Sequence, residues 1–324
     1  MASTNSYNFT VTRDQIISLA MQHVSLLGEG ETPTAASVTE AALLLNMIVK
    51  LRAADGMPLW ALKRGTILPF SDASSINTNS HVVTFYDTTT LSANAAAAAT
   101  SLSITAAGTI ANSDQLGIEL DDGTVQWTTV SSGGGTTTLT AATGLTSAAS
   151  SGNRIFAYTA SADRVQRPLR ILDANILQVS DETSWGIDIE EYSDYYSLSN
   201  RTTDGVPTAI FYDAGLGATT ADPSSSTNWY GTIFVYPRFE DGKKVIEFTY
   251  QRPFQDFDAA SDNPDFPQEF YLPLMLELAA MLGPKAGLTI EERRSLFAEA
   301  KVYLDLALET IVSEGSFRII PETR

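Results

Sequence analysis

Residues 78 to 160 contain no proline, lysine or methionine and a single arginine, Arg154, while alanine, serine, threonine and glycine dominate. The sequence on either side is of another kind, with charged, capped helices and aromatic-rich strands. The stretch therefore reads as an insertion into one domain, whose two parts are residues 1–77 and 161–324. Within the insert, Leu102 and Ile104 alternate with polar residues, as do Leu116, Ile118 and Leu120. Asp122-Gly123 is a two-residue hairpin signal placed before Val125 and Trp127. Further short strands around Leu139 and Ile155, separated by Gly133 to Gly135, predict a small all-β barrel or sandwich.

A chain of 324 residues with 44% apolar content has room for about two domains, each with its own core. It has no cysteine, which removes disulfides, thiolate metal sites and cysteine nucleophiles. The opening MASTNSYNFT has neither a basic region nor an apolar run, and Ala95 to Ala99 is far shorter than the roughly 20 residues a bilayer requires. Neither a signal peptide nor a membrane span is expected. The formal charge is -18. The insert contributes -4 of it, from Asp87, Asp114, Glu119, Asp121 and Asp122 against Arg154, and the flanks the remaining -14. Such a surface repels phosphate backbones, and no basic cluster interleaved with aromatics reverses it locally.

Helices are expected at both chain ends. Thr12 with Gln15 forms a capping box ahead of the stripe Ile16, Ala20, Val24 and Leu27, and Ser37 with Glu40 a second ahead of Leu44, Ile48 and Leu51. Asp55-Gly56 is the expected stop. Toward the C-terminus Pro267 suits a first helical position, while Pro273 requires either a start nearer Tyr271 or a kink. Thr289 and Glu292 cap a last helix carrying Leu296, Ala300, Tyr303, Leu304, Ala307 and Ile311, which ends near Gly315. Between insert and C-terminal helices, Ile233 to Tyr236, the turn PRFEDG and Val245 to Tyr250 predict an aromatic-rich hairpin.

Six motifs occur in one order: GEGETPT at 28–34, LRAADGMPLW at 51–60, RPLRILDA at 167–174, GVPTAIFYD at 205–213, DNPDFPQEF at 262–270 and SFRIIP at 316–321. Together they resemble the head-to-tail adaptor (connector) family of short-tailed bacteriophages, of the packaged-DNA stabilisation and tail tubular protein A type. The resemblance covers residues 10–70 and 164–324; the insert departs from the simplest members. It implies an α+β fold, with a four-helix adaptor bundle from both chain ends and a small antiparallel β part, to which the residues themselves add the inserted all-β barrel or sandwich domain. It also implies a virion protein of the head–tail junction, assembled in the host cytoplasm as a dodecameric ring. The ring would bind the portal protein and the tail nozzle protein, carry tail fibres, and let DNA pass without sequence-specific binding. No cofactor, metal or membrane partner is expected.

The C-terminal segment supplies the portal-binding candidates. Phe317, Ile319 and Ile320 form an apolar cluster with Arg318 and Pro321, too short for a core of its own and basic in an acidic protein. Trp127, Phe156 and Tyr158 are the candidates for binding at the insert surface, to a carbohydrate, a receptor or a neighbouring tail protein. The competing class is a cell-wall hydrolase, whose raw material is carboxylate pairs: Glu29 with Glu31; Asp188 with Glu190 and Glu191; Asp262 with Asp265 and Glu269. With 38 acids such pairs arise by chance, and loops and helix N-termini account for them. His23 and His81 alone cannot furnish a triad or a zinc site. Asp256, Asp258, Asp262 and Asp265 lack the glycine and spacing of a calcium loop. Neither Gly133 to Gly135 nor Gly215 with Gly217 has the surroundings of a phosphate cradle.

Overall fold

In the computed structural model of the chain, the described residues are 9–54, 61–70, 73–78, 80–160, 162–215 and 230–309. Their helices are α1 (Arg13–His23), α2 (Ala35–Ala54), α3 (Tyr192–Ser197), α4 (Tyr271–Leu282) and α5 (Ile290–Glu309). The strands before and within the insert are β1 (Leu62–Ile67), β2 (Ser75–Asn77), β3 (Val82–Val83), β4 (Asp87–Thr90), β5 (Ser101–Ser103), β6 (Gln115–Glu119), β7 (Val125–Ser132), β8 (Thr138–Ala141) and β9 (Arg154–Tyr158). After it come β10 (Arg170–Gln178), β11 (Ser184–Gly186), β12 (Asp188–Glu190), β13 (Asp204–Gly205), β14 (Ala209–Asp213), β15 (Thr232–Tyr236), β16 (Arg238–Phe239) and β17 (Lys244–Gln251).

The expected fold class is overturned. Seventeen strands in four sheets dominate the described residues, so a four-helix bundle with a small β part and an inserted barrel or sandwich does not describe them. The chain divides into two compact units, a helical one from residues 1–61 with 253–324 and a β unit from residues 62–252. The cuts fall at 61/62 and 252/253 rather than at the edges of the compositional break. The reason is pairing between distant segments: β1 runs antiparallel to β17 from Leu62↔Gln251 to Ile67↔Ile246, which binds the sequence before the insert to that well after it.

In the helical unit, α1 opens on the expected capping box, in which the Gln15 amide N–H donates to Thr12 Oγ1 and the Gln15 side chain accepts from the Thr12 N–H. The cap of α2 comes three residues earlier than expected, because Thr34 rather than Ser37 supplies the oxygen, accepting from the Ser37 N–H. Its stop at Gly56 lies outside the described residues, as do Ile311 and Gly315 beyond α5. The start of α4 at Tyr271 places Pro273 in the first turn, where its missing N–H has no intrahelical partner to lose. Thr289 and Glu292 form the reciprocal cap of α5. The apolar helix α4 has nine of its twelve residues buried, and α1, α2 and α5 each pack against it. Among its buried residues is Glu277, which accepts from Arg52 Nε of α2 at 3.1 Å and forms an ion pair with the same guanidinium.

In the β unit, a five-stranded sheet runs β11-β10-β17-β1-β3 and a four-stranded sheet β12-β14-β15-β2. The predicted hairpin between Ile233 and Tyr250 does not form: β15 and β17 lie in these two different sheets. Alternation of apolar residues on both segments fitted a hairpin, but each strand finds partners elsewhere, β15 between β14 and β2, and β17 between β10 and β1. A shared core joins the two sheets, with Ile67, Ile246, Phe248 and Tyr250 from the first and Ile76, Ile210, Ile233 and Val235 from the second. Gly65 is required there, since a Cβ would stand 2.6 Å from the Phe248 ring.

The insert forms a six-stranded sheet in the order β4-β9-β6-β7-β8-β5, with β6 and β7 joined at the predicted Asp122-Gly123 turn, where Gly123 has φ +87°. Leu102, Leu116, Ile118, Leu139 and Ile155 fill its core. A second cluster ties it to the five-stranded sheet: Phe156, Tyr158 and Val83 pack with Leu68 and Val245, and Trp127, Tyr86, Leu177 and Val179 close the periphery.

Two expectations follow. Phe156→Ala should lower the stability of the whole β unit by about 3–5 kcal/mol, because its ring is fully buried in the cluster that both parts share. The loss should shift the denaturant midpoint read by strands on both sides of that cluster, whereas a shift confined to residues 84–160 would mean that the insert melts independently. In the helical unit Arg52→Met should cost about 3–5 kcal/mol by leaving Glu277 buried and unpaired, whereas Lys285→Ala, which breaks an exposed pair with Glu40, should cost less than about 1 kcal/mol in the same urea titration.

Candidate interaction surfaces

The sequence of α2, AASVTEAALLLNMIVKLRAA, carries apolar residues on more than one side. Its inner face, Ala41, Leu45, Ile48, Val49 and Ala53, is buried. Its other face carries Leu43, Met47 and Leu51 at a four-residue spacing, with exposures of 56%, 56% and 67%. The expected stripe Leu44, Ile48, Leu51 thus straddles the two faces. In α5 the inner stripe Ala300, Leu304 and Ala307 is buried, while Val302 and Leu306 stand out at 57% and 54% with exposed Ala298 one turn before them. An ordinary surface helix keeps such a face polar, so two helices with apolar outer ridges mark candidate contact surfaces.

A third surface lies on the four-stranded sheet. Tyr195 of α3 is buried against Phe211 of β14 and Phe234 of β15, with ring centroids at 5.6 and 5.2 Å, and burial raises its phenol pKa above the usual value. Tyr192 and Tyr196 stand beside it, 66% and 42% exposed, and the Arg201 guanidinium lies 4.9 Å over the Tyr196 ring. Sequence reasoning missed this cluster, although the spacing of tyrosines in YSDYYS, at i, i+3 and i+4, was a signal for one helical face. The helical unit also holds a groove of about 530 Å³ between α4 and α5, lined by Leu274, Phe297 and Leu304, with Glu277 and Arg52 among its polar walls.

Two of the three candidates at the insert surface do not lie on a surface. Phe156 and Tyr158 are 0% and 2% exposed, and the Trp127 indole is half-buried with its Nε1–H donating to the Pro69 carbonyl at 2.9 Å. Phe156 and Tyr158 present no face to a sugar or a partner, and Trp127 is partly covered. Instead they surround His81, which stacks on Trp127 at 3.9 Å. The His81 backbone N–H donates to the Tyr158 hydroxyl oxygen at 3.1 Å, so the hydroxyl proton is free to donate to His81 Nδ1, also at 3.1 Å. That arrangement suits neutral imidazole, and burial, with the Arg164 charge adding to it, lowers the His81 pKa to about 4. The portal-binding candidates Phe317, Arg318, Ile319, Ile320 and Pro321 lie outside the described residues.

The carboxylate groups singled out in the sequence are largely occupied in holding backbone. Glu31 Oε2 accepts from the Gly28 N–H, Asp262 from the N–H groups of Asp258 and Ala259, and Asp265 from that of Gln255. Asp256 pairs with Lys50 at 2.5 Å. Asp188, at the start of β12, and Glu191, just after its end, are exposed. His23 is exposed at the end of α1. Among the described residues no group of three or more histidines and acids is placed to hold a metal ion, and no helix is long and apolar enough to cross a membrane. Comparison with known proteins finds no matching family model and no matching curated relative.

The lowered pKa of His81 makes stability depend on pH. In the unfolded chain this imidazole takes up a proton near its ordinary value of 6.5, whereas the folded chain resists protonation down to about 4, so the unfolded state binds more protons between those limits. Stability should accordingly fall as pH drops from 6.5 to 4, by about 3 kcal/mol at the low end for this group. Denaturation of the protein and of His81→Gln across that range checks it, and the variant should lack this component of the slope.

Proposed function

We propose that the chain is a structural virion protein of a short-tailed bacteriophage, forming a homo-oligomeric ring at the head–tail junction between the portal protein and the tail nozzle protein. The single observation that carries this reading beyond the ordered motifs is the apolar outer face of α2, with Leu43, Met47 and Leu51 each more than half exposed. Three large apolar side chains exposed in a row on one helix form a surface suited to contact with a second body. The charge of -18 supports the same reading, since a conduit for DNA must repel the phosphate backbone rather than hold it by ion pairs. DNA would pass without sequence-specific contact, and tail fibres would attach to the assembled ring. A catalytic role draws no comparable support, because the carboxylates at Glu31, Asp262 and Asp265 are engaged by backbone N–H groups.

Electron microscopy of the purified chain mixed with its cognate portal tests the proposal. A ring of many copies seated on the portal is the expected image. A chain that stays monomeric beside intact portals, or that digests purified peptidoglycan, would remove the structural assignment.

A further inference from the structure

We infer that the groove between α4 and α5 receives the chain's own C-terminal segment, with Phe317, Ile319 and Ile320 as its apolar anchors. The contact goes beyond the ring reading and does not depend on it. The groove, of about 530 Å³, lies within the helical unit, and its α5 wall runs from Phe297 to Leu308. Pro273 and Leu274 of α4 form part of the facing wall. Leu274 and Leu304 are buried, whereas Phe297 and Leu308 are open in part to solvent.

The course of the chain selects the occupant. Leu308 lines the groove and Glu309 is the last described residue of α5, so residues 310–324 start at its rim. A segment tethered there meets the groove at an effective concentration on the order of millimolar, before any specific contact forms. Its sequence, TIVSEGSFRIIPETR, offers a reversal and then an apolar run: Gly315 suits the left-handed position that ends a helix, and Phe317 to Pro321 follow. The lengths agree. Phe297 and Leu308 stand eleven residues apart on a helix, about 16 Å, and the five residues from Phe317 to Pro321 span about 17 Å when extended. Arg52 and Glu277 in the groove pair with each other and select nothing. Asp305, on the α5 wall, has no ion-pair partner among the described residues, and Arg318 supplies a cation beside the first anchor. Other segments fit less well: residues 1–8, MASTNSYN, hold no apolar run, and residues 55–60 are tied at both ends, to Ala54 and Ala61.

The chain has no cysteine, so introduced thiols report without background. Lys301 lines the groove, whereas Leu306, 54% exposed, lies on the far side of the same helix. In the full chain, a short bismaleimide should bridge Lys301→Cys with Arg318→Cys inside one molecule roughly tenfold faster than Leu306→Cys with Arg318→Cys. Each rate is followed by peptide mass spectrometry and divided by that of the same α5 thiol toward a monofunctional maleimide. A segment that wanders free favours the Leu306 pair, which is closer in sequence. Equal rates, a faster Leu306 pair or no bridge from position 301 would therefore overturn the inference. Products that run as dimers would do so too, by placing the segment on a second copy. Adding Phe317→Ser and Ile319→Ser should erase the preference for the Lys301 pair; a preference that survives would remove the apolar anchors from the contact and overturn the proposal.

Discussion

Strand β17 is the constraint on which the β unit depends. It is hydrogen-bonded on both edges, to β1 and to β10, and so has no solvent-facing edge. Its two faces serve different cores: Ile246, Phe248 and Tyr250 point into the core between the two sheets, and Val245 points into the cluster that receives Phe156 and Tyr158. A strand so placed has no fully exposed position: in KVIEFTYQ Val245, Ile246, Phe248, Tyr250 and Gln251 are fully or almost fully buried, and Lys244, Glu247 and Thr249 are half-buried. The polar end of Gln251 is accommodated because its Oε1 accepts from Arg170 Nε at 2.9 Å. Burial also raises the Tyr250 phenol to about 12, so the ring remains neutral beneath the sheet.

The features legible in the sequence were those set by neighbours a few residues apart. The capping boxes at Thr12 and Thr289, the Asp122-Gly123 turn and the start of α4 all depend on short-range hydrogen bonds or on proline's missing donor, and the structure places them as the residues imply. The features that failed depend on pairing at long range. Nothing in Leu62–Ile67 announces a partner 184 residues away at Ile246–Gln251, and LKRGTI is too mixed in polarity to read as a strand covered by β17. Likewise β15 and β17 share the alternation of a hairpin and differ only in which distant strands claim them. The overall class was misjudged for the same reason: local helix signals are strong and countable, while strands such as β12 and β14 reveal themselves only through their sheet.

Exposure was the other quantity the sequence concealed. Trp127, Phe156 and Tyr158 have the composition of a stacking platform, yet they enclose His81 at the seam of two cores. Two solvent-facing aromatics, Tyr192 and Tyr196, come from a six-residue helix that propensity alone would not single out. The apolar run AALLLNMIVKL is plain in the sequence, but a stripe drawn on one face hides Leu43 and Met47 on another. What distinguishes a contact surface from a core in this protein is the number of apolar faces a helix carries relative to the number its own chain can cover.

The absence of lysine between residues 64 and 242 gives the β unit a particular electrostatic texture. Its cations there are arginines, and several are tied down by their planar forks: Arg167 donates twice to the Ala214 carbonyl, Arg170 bonds Gln251, Arg201 lies over Tyr196 and bonds its carbonyl, and Arg238 pairs with Asp204 at 2.8 Å. An ammonium on a long flexible stem can swing out to meet a passing polyanion; a guanidinium held at its hydrogen bonds cannot. At these four positions the positive charge is built into the scaffold, and the exposed charge around them is predominantly carboxylate. The acidic surface is thus acidic in its dynamics as well as in its sum.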